Sequence, residues 1–204
     1  IRGNLDIVIP KIAIDPKMRN SKYASYGTVT QAIHWVTAMV VVLAFVLGPD
    51  GSEQHIYSVS EELGRRVHES LGLSVFGLTT FRLLWRCITP RPHLPELSEG
   101  VKMASTIVQS MLYVLLLALP ITAVAGAWLG GHPVTLLGRI DIASPLDQLG
   151  DLGNALSELH GLLGDAVMWV AGLHATAALY HHFFLKDEVL ISMLPRWLKI
   201  LRKL

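Results

Sequence analysis

The sequence has little charge and almost no cysteine. Only 16% of its 204 residues are Asp, Glu, Lys or Arg, against about 25% in ordinary soluble domains. The single cysteine, Cys87, excludes an internal disulfide framework, a cysteine-rich zinc site and an iron–sulfur cluster held by this chain alone. No C-x-x-C-H motif occurs, which excludes covalent c-type haem. With a formal net charge of +1, the chain also lacks the broad basic surface of a nucleic-acid-binding protein.

The sequence has instead four long apolar stretches, at about residues 29–47, 67–85, 107–129 and 156–185. Each reaches the ~20 residues that a helix needs to cross a bilayer. Such runs argue against disorder and against a soluble α/β enzyme. We therefore predict an all-α fold, an integral membrane four-helix bundle in the lipid bilayer. Residues 22–204 would form this membrane domain, and residues 1–21 would be an N-terminal extension or a vector remnant.

Lysine and arginine are distributed unequally around the four stretches. Thirteen of the 17 lie before the first stretch, between the second and third, or after the fourth, and a fourteenth, Arg82, lies in the last turn of the second stretch on the same side. Only Arg65, Arg66 and Arg139 lie in the other two connections, which are rich in acidic residues. Because cytoplasmic segments of membrane proteins carry the excess of positive charge, we expect the N and C termini to be cytoplasmic and the first and third connections to lie outside.

Six of the nine histidines lie in the apolar stretches, two of them, His181 and His182, at the end of the fourth. The other four, His34, His68, His160 and His174, lie inside the predicted spans, where an ionisable side chain indicates function by default. His160 and His174 are 14 residues apart, so on a helix they lie within about 40° of one face and about 21 Å apart. The expected chain directions place His34 at the depth of His174 and His68 at the depth of His160. Opposed imidazoles at two levels suit iron in two haems, whereas zinc favours more ligands at one level. We predict the pairs His34/His174 and His68/His160 as haem-iron ligands; for any one histidine alone, an interhelical hydrogen bond is the alternative.

Two further residues are candidates for cofactor binding. Arg82 follows His68 by 14 residues and therefore shares its helix face one level down, where it would pair with a haem propionate or anchor the helix at the membrane surface. His181 follows His174 by seven residues, about 10 Å nearer the cytoplasm. It would bond a propionate or a quinone carbonyl, or be an ordinary interfacial polar residue. Asp165, which we expect to be buried, would relay protons or bond a neighbouring helix.

The end of the fourth apolar stretch resembles a specific motif of the bacterial cytochrome b561 family. It reads GLHATAALYHHFFLKD from Gly172 to Asp187 and is followed by Leu-Pro-Arg at 194–196. Weaker matches occur in the same order upstream: AIHW at 32–35, HESLG at 68–72, FRLLWR at 81–86 and LPI at 119–121. The resemblance covers about residues 22–196. It implies two haem b groups, the bacterial inner membrane and electron exchange with ubiquinone, and its four ligand positions fall on His34, His68, His160 and His174.

The resemblance extends to a member that oxidises superoxide and passes the electron to ubiquinone. Superoxide is an anion, so its capture needs a positive outer surface, but residues 149–159 before His160 contain two acids and no base. Three hypotheses therefore stay open: a superoxide:ubiquinone oxidoreductase, an electron-transfer subunit serving a periplasmic protein partner or dehydrogenase, and a haem- or metal-handling protein without redox turnover. No catalytic residue is assigned.

Overall fold

The computed structural model describes residues 25–49, 56–89 and 98–195. The four long helices are α1 (Thr28–Val46), α2 (Glu62–Ile88), α3 (Glu99–Leu129) and α4 (Gly150–Tyr180). A π-helical turn, His181–Leu185, extends α4, and a short helix α5 follows at Val189–Met193.

All four long helices have the length and composition to cross a membrane. Many of their large apolar side chains are exposed on the protein surface, Trp169 at 78% and Leu173 at 66% being examples, and few are fully buried. Such a surface is stable where lipid tails cover it. The predicted four-helix membrane bundle is therefore confirmed. The predicted extension at residues 1–21 lies outside the described residues.

The helices are longer than their apolar stretches. α2 begins at Glu62 and α3 at Glu99, several residues before the runs predicted from 67 and 107. In both helices, charged pairs one turn apart stabilise the polar turn: Arg66 bonds Glu62, and Lys102 bonds Glu99. Hydropathy detects only the part of a helix that suits lipid, so it misses these polar ends.

Each long helix packs on the next one along the chain: α1 on α2, α2 on α3, and α3 on α4, the last pair most closely. Glycines permit the α3–α4 approach. A Cβ placed on Gly126 would lie 2.8 Å from the Ser157 hydroxyl, and one on Gly153 would lie 2.7 Å from the Gly130 nitrogen. Small residues of this kind let membrane helices bring their backbones together.

The connection between α3 and α4 contains an antiparallel hairpin of β1 (Val134–Leu136) and β2 (Ile140–Ile142). The sequence predicted only a long loop here. Three contacts attach the hairpin to the start of α2: Arg66 donates two hydrogen bonds to Asp141 (2.8 and 3.0 Å), Thr135 N donates to Glu69 (2.7 Å), and Gly138 N donates to the Ser70 hydroxyl (2.7 Å). We call this the hairpin end of the bundle.

Hydrogen bonds from Arg66 and from the Thr135 hydroxyl hold the pKa of Asp141 below its ordinary value. The stability that this carboxylate contributes is therefore fully present above the unfolded pKa of about 4 and is lost as pH falls through the lower folded pKa. We expect Asp141→Asn to weaken the hairpin already at neutral pH. Amide hydrogen exchange of residues 134–142, corrected for the intrinsic pH dependence, should then be several-fold faster than in the unmodified protein.

The control for this prediction is Asp147→Asn. Asp147 is exposed in the same connection and makes no ion pair with any described residue. Its removal should leave hairpin exchange unchanged. Equal protection of the hairpin in the Asp141→Asn and Asp147→Asn proteins at neutral pH would show that the Arg66 contact does not hold it.

The opposite end of the bundle is closed by α5, and we call it the α5 end. Three donors in the first half of α1 or just before it bond carbonyls of α5: Tyr26 N and Gln31 Nε2 donate to Ser192 O (3.1 and 3.0 Å), and Trp35 Nε1 donates to Met193 O (2.9 Å). Since Trp35 follows His34 directly, these bonds fix the helix turn that carries His34.

Candidate functional site

Two pairs of histidines face each other inside the bundle. The ring centroids of His34 on α1 and His174 on α4 are 6.5 Å apart with the rings at 88°, near the α5 end. Those of His68 on α2 and His160 on α4 are 6.0 Å apart at 86°, near the hairpin end. The structure thus brings together the residues that were matched by depth, and α4 supplies one member of each pair.

Backbone carbonyls set the proton positions of the pair at the hairpin end. His68 Nδ1 lies 2.8 Å from Ala44 O, and His160 Nδ1 lies 2.8 Å from Leu119 O. A carbonyl can only accept, so each Nδ1 carries the hydrogen and each Nε2 keeps its lone pair. A hydrogen bond of this kind orients a metal-ligating histidine and strengthens it as a ligand. Ala44 is available for this role because it lies in the last turn of α1, where carbonyls lack helical partners.

The pair near the α5 end is arranged differently. Arg82 lies there, as the helix spacing predicted, but its Nη1 donates to His34 Nδ1 at 2.9 Å. Arginine has no acceptor, so His34 Nδ1 accepts in this arrangement. Metal ligation through His34 Nε2 requires a hydrogen on Nδ1 and hence a turn of Arg82 toward another acceptor. The guanidinium has further donors for a carboxylate and also lies 5.6 Å from the Tyr113 ring centroid.

The space between the imidazoles fits a metal with one histidine on each side. Two metal–imidazole bonds of about 2.0 Å each, together with the ring radii, come to about 6 Å, which matches both centroid distances. α4 packs closely on α3 rather than on α1 or α2. A Cβ on Gly72, Gly161 or Gly164 would meet nothing within 4 Å. A flat group therefore has room beside these helices at the level of His68 and His160.

Other metal arrangements find less support in the described part of the chain. No group of three or more His, Cys, Asp or Glu side chains is placed to hold a metal ion there. One buried hydroxyl, Thr79 Oγ1, has no hydrogen-bond partner and lies on α2 between the levels of the two histidine pairs. A buried polar atom without a partner is uncommon, and a group bound beside α2 at this level would give the hydroxyl one.

Two further residues singled out from the sequence, His181 and Asp165, lie outside the two histidine pairs. His181 is in the π-helical turn at the α5 end, where its Nδ1 bonds the carboxylate of Asp187. Sequence reasoning missed Asp187, whose only signal was its place in the LKD segment after the adjacent histidines. The expectation that Asp165 is buried is wrong: it is exposed, and no described residue bonds it, so the structure supports neither role suggested for it.

A membrane-spanning bundle that presents opposed imidazoles from different helices is the class of architecture that holds haem between its helices. Comparison with known proteins defines the family. The family model for prokaryotic cytochrome b561 matches residues 25–196, so the chain belongs to the prokaryotic cytochrome b561 family of haem-binding bacterial membrane proteins. The family implies haem b.

The sequence matches individual named relatives over nearly their whole length. The chain is 31% identical to "Cytochrome b561 homolog 2" of Escherichia coli strain K12 over 172 residues, 84% of this chain and 92% of that protein. It is 28% identical to "Probable superoxide oxidase CybB" of Yersinia pestis, over 85% of this chain and 98% of that protein. It is also 28% identical to "Cytochrome b562" of Cereibacter sphaeroides, over 84% and 96%.

Proposed function

We propose that the chain holds two haem b groups, one between His34 and His174 and one between His68 and His160, and exchanges electrons with ubiquinone in the bacterial inner membrane. The observation that carries this proposal is the pair of facing imidazole sets at two depths of one bundle. When bound, haem supplies one-electron redox chemistry, and the protein supplies ligation and surroundings. With both termini cytoplasmic, the hairpin end would be the outer end.

The chain's own residues have distinct parts in this proposal. The Nδ1 hydrogen bonds of His68 and His160 would hold both rings in the ligating tautomer. Arg82 would leave His34 Nδ1 and pair with a propionate, since a guanidinium bonds a carboxylate more strongly than it bonds a neutral imidazole nitrogen. The contacts of α5 with α1 would keep His34 in place during this change.

Superoxide is the first candidate electron donor. Its support is the similarity to a relative named a probable superoxide oxidase. Two superoxide ions would release two electrons and leave as two O₂ molecules, while one ubiquinone takes up two electrons and two protons. Arg139 in the hairpin connection makes no ion pair with any described residue, so it is the cation best placed to attract the anion at the outer end.

A basic periplasmic redox protein is the second candidate, and the charges of the outer end favour it. Arg65 is paired with Glu69, and Arg66 with Glu62 and Asp141, so neither adds much positive potential. In contrast, three exposed acids near the start of α4 have no ion-pair partner among the described residues: Asp147, Asp151 and Glu158. Such a surface repels superoxide and attracts a basic partner.

Stopped-flow spectroscopy separates the two donors. The oxidised holoprotein is mixed with a superoxide pulse, with and without ubiquinone, while the haem absorbance is followed. For superoxide as donor, we expect rapid haem reduction, reoxidation only with ubiquinone, and a reduction rate that falls several-fold in Arg139→Gln but not in Asp147→Asn. No reduction by superoxide, with fast and salt-sensitive reduction by a basic cytochrome, would establish the protein partner instead.

A further inference from the structure

We infer that His181 and Asp187 form a proton-exchange dyad for ubiquinone at the α5 end. The inference rests on the proposed function, because it assumes that the chain reduces or oxidises quinone. Neither residue is a proposed haem ligand: His181 lies seven residues beyond His174, and Asp187 lies in the loop that follows α4.

The chain reverses direction between the two residues. The π-helical turn His181–Leu185 ends at Lys186, which has left-handed backbone angles of φ 52° and ψ 38°. This reversal brings Asp187 back to His181, and Asp187 N donates to His181 O (3.2 Å). π-helical turns are rare and occur frequently at functional sites.

Asp187 is held on both sides. Its Oδ1 accepts a hydrogen bond from Val189 N (3.0 Å) at the start of α5, and its Oδ2 bonds His181 Nδ1. α5 is in turn bonded to α1 through the Ser192 and Met193 carbonyls. The Asp187 carboxylate is therefore held in place at the α5 end, and it in turn orients the His181 imidazole.

The dyad is largely enclosed but lies beside an apolar surface that faces lipid. The side chains of His181 and Asp187 are 14% and 18% exposed. Next to them, the rings of Tyr180 and Phe184 are stacked at 5.2 Å and are 52% and 75% exposed, and Tyr180 lies edge-on to His181 at 6.5 Å. A flat, lipid-soluble ring can reach the imidazole along this aromatic surface without leaving the bilayer.

The dyad has the chemistry that quinone turnover requires. Because the Asp187 carboxylate accepts the Nδ1 hydrogen, Nε2 is the atom that gains and loses a proton. Reduction of one quinone needs two electrons, which the reduced protein gives singly, and two protons. His181 Nε2 would pass each proton to a quinone oxygen and recover it from cytoplasmic water. In quinol oxidation the same atom would accept both protons in turn.

The test compares two oxidants of the dithionite-reduced holoprotein. A short-chain ubiquinone analogue takes up protons with its electrons, whereas ferricyanide takes up electrons alone. Loss of a proton-transfer group slows the step it serves by about 100-fold or more. We therefore expect His181→Gln to slow haem oxidation by the quinone at least about tenfold and to leave oxidation by ferricyanide and the haem content unchanged.

Asp187→Asn should act through the tautomer of His181. The asparagine carbonyl can still accept from Val189 N, while its amide group would donate to His181 Nδ1 and move the imidazole hydrogen to Nε2. We expect ¹⁵N histidine spectra to show this exchange of protonated nitrogens together with slower quinone oxidation. Glu188→Gln is the matched control, since it removes a neighbouring carboxylate that has no bond to His181 among the described contacts.

Each outcome decides a separate point. Failure of the unmodified protein to react with the quinone would overturn the proposed function and the dyad with it. Normal quinone oxidation in both His181→Gln and Asp187→Asn would overturn the dyad alone and leave the proposed function standing. Equal slowing with quinone and ferricyanide would show that the two residues only shape the end of α4, and would likewise overturn the dyad.

Discussion

Alanine in place of His174 is expected to remove one haem and leave the other. Among the described residues, the only imidazole facing His174 is that of His34, so an iron at this level would keep a single protein ligand. The pair of His68 and His160 is about 21 Å away along α4 and makes its hydrogen bonds to other helices. The haem content, measured by pyridine haemochrome, should therefore fall by about half.

The four single variants test the pairing as well as the ligands. His34→Ala should lose the same haem as His174→Ala, and the double variant should lose no more, because both act on one site. His68→Ala and His160→Ala should lose the other haem. His182→Ala, outside both pairs, is the control. Normal haem content in His34→Ala would show that α1 supplies no haem ligand. Loss of the same haem in His34→Ala and His68→Ala would disprove the pairing by depth.

Alanine in place of Gly153 is expected to lower the stability of the protein more than alanine in place of any other glycine of α4. The new Cβ would lie 2.7 Å from Gly130 N and 3.0 Å from Leu129 C. These are backbone atoms and cannot move aside as a flexible side chain can. Overpacking of this kind costs about 1–3 kcal/mol, so the midpoint of thermal unfolding in detergent should fall by several degrees.

Gly150→Ala is the matched control for this change. It lies three residues earlier in the same helix, and a Cβ there meets nothing within 4 Å. Because His160 lies two turns after Gly153, displacement of α4 should also alter the absorbance of the haem at the hairpin end. Equal unfolding temperatures for Gly150→Ala and Gly153→Ala would show that α3 and α4 separate there without a penalty.

The sequence predicted the main features of the fold and of the histidine pairs because both depend on one helix at a time. A bilayer imposes a length and a polarity on each span, so the four helices follow from apolar runs. Helix geometry converts the spacing of His160 and His174 into one face and two depths. The directions of the spans then match His34 and His68 to those depths without knowledge of helix packing.

Other features could not be predicted because they join residues far apart in sequence. The hairpin depends on Arg66 and Asp141, 75 positions apart, and no local pattern identifies such a pair. The position of Arg82 at the α5 end followed from spacing, but its bond to His34 did not, since spacing along one helix does not specify which residue of another helix a side chain meets. The exposure of Asp165 depends on how α4 is rotated against its neighbours, which hydropathy does not specify.

By itself, therefore, the sequence determined the number of spans, their apolar character and the depths of the four histidines, because lipid and helix geometry act locally along the chain. The tertiary structure alone decided which donors meet which acceptors. It closed one end of the bundle with the hairpin and the other with α5, and it brought Asp187 to His181 through a turn that reverses the chain. These contacts depend on side-chain geometry between distant segments, and only packing of the whole chain sets that geometry.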